Sequence, residues 1–247
     1  MPILRVDLHV HTVLSPCADI EMIPPLIVQN AVDNGIQIIA ITDHNASANV
    51  QAVQEAAAGS GLTVLPGVEL QTVEEVHVLC LFDTLDQSRS FQTQIDAALP
   101  ALENNIDFFG EQFVVDATGD FIRREERLLL NSTTLSLAQA WEKVKALGGM
   151  LIPAHVTRKA FGLLPVLGFV PPDTPIEILE ISTQIRPDKA YTQFPQIQGF
   201  PLVQNGDAHF LEDIRGLNQV SIERTTIAEL RLAFLQQDGR THQILTL

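Results

Sequence analysis

The feature that most limits how this chain can fold is a repeated alternation of short β-branched apolar runs with helix-forming stretches. Ile3–Leu8 is followed by Pro24–Asn34, where Pro24 suits a first helical turn and Gly35 a helix stop. Ile36–Ile41 precedes the Ala/Gln/Glu-rich stretch Ser47–Ala58, which Gly59-Ser60-Gly61 closes. Leu62–Val68 and Val76–Phe82 read as strands, with a helix over Ser90–Leu99. Further on, Leu137–Leu147 and Thr226–Gln237 read as helices, and Met150–Ile152, Ile176–Ile181 and Pro201–Val203 as strands. Near-continuous apolar strands separated by helices imply an α/β sheet covered on both faces. Seven or eight such strands in 247 residues fit a single closed barrel over residues 1–247 better than two domains. A doubly wound open sheet is the alternative. Residues 104–134 interrupt the rhythm: Phe113-Val114-Val115 and Phe121-Ile122 flank a turn and read as a hairpin, followed by the charged Arg123–Arg127. This insertion is either a flap over the site or a solvated excursion.

The histidines are not scattered. Of the seven, only His242 stands apart; the other six lie at or beside the ends of predicted strands. His9 and His11 form an H-x-H pair after the first strand, so both imidazoles project from one face and can reach one ion. Asp207-x-His209 repeats that spacing after a late strand, and His44, Glu69 and His155 each follow a strand. Loops at one mouth of a parallel barrel converge, so segments 200 residues apart can supply one metal cluster. Glu69 adds a carboxylate able to bridge two cations. His77 begins its run rather than ending it, and Asp19 lies eight residues beyond His11. Each of these residues also has a plain reading as a hydrogen-bonded core group; their shared placement favours ligands. Asp43 reads as the cap of the turn after its strand.

Composition narrows the partners. Thirty acidic against fifteen basic residues give a net charge of −15, which repels polyphosphate backbones. The expected partner is therefore a small phosphorylated substrate, with no long duplex nucleic acid. One Trp and one Tyr beside twelve Phe show no evident base-stacking platform. No apolar run reaches the roughly 18–20 residues that span a bilayer, and the N-terminal residues lack a signal-peptide pattern. Cys17 and Cys80 form no disulfide framework, so the expected setting is the reducing cytoplasm.

The set Asp7-Leu8-His9-Val10-His11-Thr12, Ile41-Thr42-Asp43-His44, Pro66-Gly67-Val68-Glu69, Glu75-Val76-His77, Pro153-Ala154-His155 and Gly206-Asp207-Ala208-His209 resembles the motifs of the polymerase and histidinol phosphatase (PHP) family of metal-dependent phosphoesterases. The resemblance covers residues 7 to 209 in the family's order. It implies a distorted (β/α)7 TIM-like barrel holding two or three divalent ions (zinc, manganese, iron or magnesium) at the C-terminal mouth of its strands. It further implies a first metal on His9, His11, Glu69 and Asp207, and a second sharing Glu69 with His77 and His155. A third would be held by His44, His209 and a residue of the loop after His11. Many members place an acid five residues after the second histidine of H-x-H, or a histidine six residues after it; here Pro16 and Cys17 stand there. Asp19 is the favoured substitute, with Cys17 the alternative that would suit zinc. The function implied is hydrolysis of a small phosphomonoester or short nucleotide by a metal-activated hydroxide, with Glu69 and Asp207 as catalytic carboxylates. Arg158, three residues after His155, suits a phosphate ligand, ahead of Arg127 and Arg215. Histidinol-phosphate phosphatase, a non-catalytic metal-binding scaffold and a metal-dependent amidohydrolase are the competing readings. The last usually needs a ligating lysine at a strand end, and none stands there.

Overall fold

The structure, a computed structural model, describes residues 1–245. Along the chain it forms β1 (Ile3–Val10), α1 (Pro24–Asp33), β2 (Ile38–Ile41), α2 (Val50–Ala56), β3 (Thr63–Gln71), β4 (His77–Leu81) and α3 (Leu85–Ala98). There follow α4 (Ile106–Phe109), β5 (Phe113–Val115), β6 (Phe121–Arg124), α5 (Leu137–Ala146), β7 (Met150–Pro153) and α6 (Leu163–Leu167). β8 (Leu179–Glu180), α7 (Pro187–Gln193), β9 (Leu202–Val203), β10 (Asn218–Ser221), α8 (Ile227–Phe234) and β11 (Thr241–Ile244) complete it. No described helix is long and apolar enough to cross a membrane.

Seven strands form one sheet in the order β11-β10-β1-β2-β3-β4-β7, without the order reversal of a doubly wound sheet. β8 and β9 pair in parallel as a separate ribbon. That ribbon joins both sides of the curled sheet: Val156, just past β7, donates to Glu180 O (2.8 Å), while Ala208, just past β9, donates to His9 O (2.9 Å) and accepts from His11 N (3.0 Å). The strand–helix repeat is not uniform. β3 turns directly into β4, which runs antiparallel to both β3 and β7. The reversal explains His77: on a reversed strand the first residue lies at the mouth where parallel strands end. Gly67 permits the tight β2–β3 approach, since a Cβ there would sit 2.8 Å from Thr42 Cγ2.

Val6 and Leu8 of β1, Ile38 and Ala40 of β2, Leu79 and Leu81 of β4 and Ile152 of β7 point inward and meet Leu230 and Phe234 of α8. This apolar plug fills the interior below the mouth. On the outer side, Ile39, Ile41 and Val64 pack under Ile27, Ala31, Val50 and Val53 of α1 and α2. At roughly 1.5–3 kcal/mol per buried aliphatic side chain, these layers supply the apolar burial that fixes the mouth's framework.

Several expected boundaries moved. The expected strand Ile176–Ile181 pairs only at Leu179–Glu180. The third helix begins at Leu85 rather than Ser90 because Thr84 and Gln87 form a reciprocal capping box. The inserted hairpin exists as β5–β6 and is anchored to the loop after His11. Phe113 N donates to Val13 O (2.9 Å), and the Asn49 side chain joins Thr12 Oγ1, Phe113 O and Val115 N.

Candidate metal centre

Five histidines from five segments surround the single carboxylate of Glu69, near the end of β3. Its Oε1 lies 2.9 Å from His77 Nδ1, 3.0 Å from His155 Nε2 and 3.3 Å from His9 Nε2. Its Oε2 lies 2.9 Å from His44 Nδ1 and 3.4 Å from His11 Nε2. Asp207 Oδ1 adds a second carboxylate 3.3 Å from His9 Nε2 and 3.5 Å from His11 Nε2. His209 stacks on His11, with centroids 4.1 Å apart, and turns its Nδ1 to Asp207 O (2.9 Å). All are buried except Asp207 and His209, which keep about a fifth of their side-chain surface (21% and 19%) at the opening.

This packing leaves polar atoms unsatisfied. His9 Nε2, His11 Nε2, His155 Nδ1, Glu69 Oε2 and Asp207 Oδ1 are buried and lack a hydrogen-bond partner. Orphaned polar atoms cost about 1–3 kcal/mol each, so five in one cluster need a compensating ligand. Three overlapping groups have donor atoms within 4.8 Å of one another: His9-His11-Glu69, His44-Glu69-His77 and His11-His44-His209. Imidazole and carboxylate donors in such sets fit divalent cations. Burial raises the Glu69 carboxyl, but His77, His9 and His44 outweigh it and hold Glu69 well below the usual carboxylate range. Burial likewise raises Asp207, and His9 and His11 bring it well below normal. Both carboxylates are therefore held ionised, the state a cation needs.

The backbone is bent to make this mouth. His155 (φ 32°) and Asp207 (φ 49°) both adopt the left-handed region, which is uncommon for residues other than glycine and clusters at functional sites. Asn45, just past His44, does the same (φ 50°) and ties its loop down by donating to Leu129 O and Asn131 O.

A supporting layer orients the ligands. Glu180, which ends β8, places its carboxylate 3.1 Å from His9 Nδ1 while accepting from His155 N (3.1 Å) and Asn205 Nδ2 (2.9 Å). His9 Nε2 is thereby turned into the cluster. Sequence reasoning passed over Glu180, although a lone acid in the apolar run Ile178-Leu179-Glu180-Ile181 was the available signal. Asp43 closes its turn by accepting from Thr12 N (2.7 Å), Thr12 Oγ1 (2.8 Å) and Ser15 Oγ (2.7 Å). Ser15 Oγ in turn meets His11 Nδ1 (2.9 Å), so Asp43 also acts on His11. Phe161 stacks flat on His77, with centroids 4.5 Å apart.

Arg158 reaches the cluster's rim, donating to Asp207 Oδ2 (2.6 Å), and lines a polar cleft with His155, Ser182 and Asn205. Arg127 and Arg215 are engaged elsewhere, with Asp96 and Asp213. Asp19 is the one expected ligand not brought to the cluster: its Oδ1 accepts from Glu21 N (2.8 Å) in a local turn, and it forms no ion pair or side-chain hydrogen bond with the clustered histidines among the described residues. The reason lies in the loop, where Asp19 N donates to His209 O and the side chain faces the other way along the chain. The Cys17 sulfur is instead hydrogen-bonded with the side chains of His209 and His44.

A protein-family model, the PHP domain, matches residues 7–139, more than half of the chain, and the chain belongs to that family. Over 162 residues it is 33% identical to the 5'-3' exoribonuclease Rnm of Salmonella typhimurium, covering 62% of this chain and 46% of Rnm. The crystal structure of the lesion-specific endonuclease PfuEndoQ from Pyrococcus furiosus superposes with a TM-score of 0.70 at 21% identity, covering 98% of this chain and 58% of that one. An endonuclease Q complex with a 27-mer duplex carrying an abasic lesion at the active site gives 0.65 at 20% identity, covering 97% and 58%. The chain thus spans about half the length of these relatives. They overturn the expectation of a small phosphorylated partner with no long duplex. The proteins it resembles act on RNA or on duplex DNA, and a net charge summed over the whole surface did not anticipate that. The field that matters to a phosphate is local, and a metal-bearing mouth reverses it.

Proposed function

We propose that this chain is a metal-dependent phosphoric ester hydrolase that cleaves nucleic-acid phosphodiesters at the Glu69 mouth of a distorted (β/α)7 barrel. The observation that carries this reading is the set of five buried, unpartnered donor atoms converging on Glu69 and Asp207. The kinship with an exoribonuclease and the likeness to endonuclease Q supply the substrate class.

The ligand sets proposed are His9, His11, Glu69 and Asp207 for one ion and Glu69, His77 and His155 for a second. A third set is His44 and His209 with a residue of the loop after His11. When bound, such ions polarise a phosphoryl oxygen and ready water for attack at neutral pH. The protein's own residues do the rest. Glu69, ionised and enclosed, fixes the relative positions of five imidazoles. Glu180 and Ser15 hold the Nδ1 atoms of His9 and His11, so that both Nε2 atoms face inward. Asp207, less enclosed than Glu69, stands where substrate enters, and Arg158 beside it presents its remaining N–H groups to a non-bridging phosphate oxygen. Against a net charge of −15, phosphate attraction is confined to this mouth.

The test is cleavage of end-labelled single-stranded RNA, single-stranded DNA and duplex DNA with manganese, zinc or chelator. Chelator-sensitive cleavage of one of them, lost in Glu69→Ala, is expected. No cleavage of any by protein shown to carry metal would overturn the reading.

A further inference from the structure

The loop between His11 and Met22 supplies one donor to the third group, and the nature of that donor decides which cations the group accepts. Two side chains compete for the place, and the structure separates them. Asp19 spends its carboxylate on the Glu21 amide (2.8 Å). Cys17 places its sulfur within hydrogen-bonding reach of both His209 and His44. Between those two histidines His11 directs Nε2, fully buried and without a hydrogen-bond partner; the ligand atoms of the three lie within 4.8 Å of one another. The loop is held to this arrangement from both sides: Ala18 N donates to Ser15 O (2.9 Å), and Asp19 N donates to His209 O (2.9 Å). Cys17 is thus locked to the strand-end segment that carries His209.

Resting on the metal-centre reading above, we propose that Cys17, as a thiolate, joins His44 and His209 in a soft nitrogen–sulfur site that selects zinc-like cations over magnesium and manganese. Thiolate sulfur favours zinc, whereas carboxylate oxygen in its place would favour the harder ions. Binding requires the thiol to lose its proton, which passes to solvent at the rim where Cys17 is exposed. The surroundings favour that loss: burial raises the thiol, but the hydrogen bonds from His209 and His44 outweigh it and bring Cys17 down to about 6. Cys80 shows the opposite environment. It is wholly buried in the apolar layer beneath α3 and α5, and burial pushes its thiol up.

Cobalt(II) reports the bond directly, because thiolate ligation adds a sulfur-to-cobalt charge-transfer absorption in the near ultraviolet. The full chain, stripped of metal and reloaded with cobalt, is expected to show this band, and Cys80→Ser and Asp19→Asn to retain it. Cys17→Ser should lose the band while keeping the wild-type melting temperature in chelator, since an exposed side chain is being changed. Cys17→Asp should restore occupancy with the preference for zinc over manganese reduced at least about tenfold. Absence of the band from cobalt-loaded wild type, or its persistence in Cys17→Ser, would overturn the proposal. So would loss of one bound zinc in Asp19→Asn but not in Cys17→Ser. The band is read without substrate, so a protein that shows it yet cleaves no nucleic acid would refute the nuclease reading and leave this one standing.

Discussion

Two pairs of buried carboxylates lie close together in this protein and are treated in opposite ways. Asp7 and Asp43 belong to the supporting layer, and donors of the chain meet them. Asp7 accepts the amides of Gly206 (3.1 Å), Arg215 (3.1 Å) and Gly216 (3.0 Å); Asp43 accepts from Thr12 and Ser15. Glu69 and Asp207 belong to the mouth, and each keeps one buried oxygen with no hydrogen-bond partner amid a ring of histidines. The contrast separates carboxylates that hold a fold from carboxylates that hold something else. Fixed backbone donors complete the first pair, while the second is complete only when a cation arrives.

The sharpest way to break this contrast is to neutralise Glu69. Glu69→Gln should lower turnover by at least about three orders of magnitude, equivalent to about 4 kcal/mol of transition-state stabilisation. It should also reduce bound metal, measured by elemental analysis after dialysis. Chelator-treated Glu69→Gln should melt no lower than chelator-treated wild type, because a charge left incompletely paired has been removed. A marked loss of stability would place Glu69 with Asp7 as a structural group.

Glu180 lies between the two classes: it receives amide donors, yet its other contact is a ligand. Glu180→Ala should weaken metal binding about 10–100-fold in a chelator competition, and Glu180→Gln, which keeps an oxygen toward His9, should lose less. Equal affinity in all three proteins would mean that packing alone orients His9.

Legibility in the sequence followed the same division. Nearly all of the mouth could be read there because ligand chemistry permits few residue types, and strand-end spacing gathered His9, His11, His44, Glu69, His155, Asp207 and His209. His77 looked out of place only because the reversal of β4 depends on a tight turn at Thr72–Val76 that apolar runs do not announce. β10 and β11 escaped notice because they form the sheet's edge, where Asn218, Gln219, Thr241 and Gln243 replace the apolar run of a buried strand. Asp19 was misplaced for a related reason: which way a loop side chain faces is set by hydrogen bonds to His209, nearly 200 residues away in the chain. Substrate class was not legible at all from total charge, since that sum ignores where the charge lies.

The smallest expected effect tests the satisfied side of the contrast. Asp7→Asn keeps one acceptor oxygen but turns an NH2 group toward amides that need an acceptor, so it should cost about 1–3 kcal/mol of stability. Burial pushes the Asp7 carboxyl up to about 6 from an ordinary 3.8, against the lowering pull of the Gly206, Gly216 and Arg215 amides. The folded chain therefore binds more protons than the unfolded chain between those values. This group's favourable contribution is complete below 3.8 and is lost as pH rises through 6. Asparagine has no such proton. In metal-free protein unfolded with urea, wild type should accordingly exceed Asp7→Asn by more at pH 5 than at pH 7.5. A gap that widens with pH would mean that the amides favour the carboxylate strongly enough to overcome its burial. Asp7 would then be held ionised, as Glu69 is, and the two carboxylates would differ only in which partners complete them.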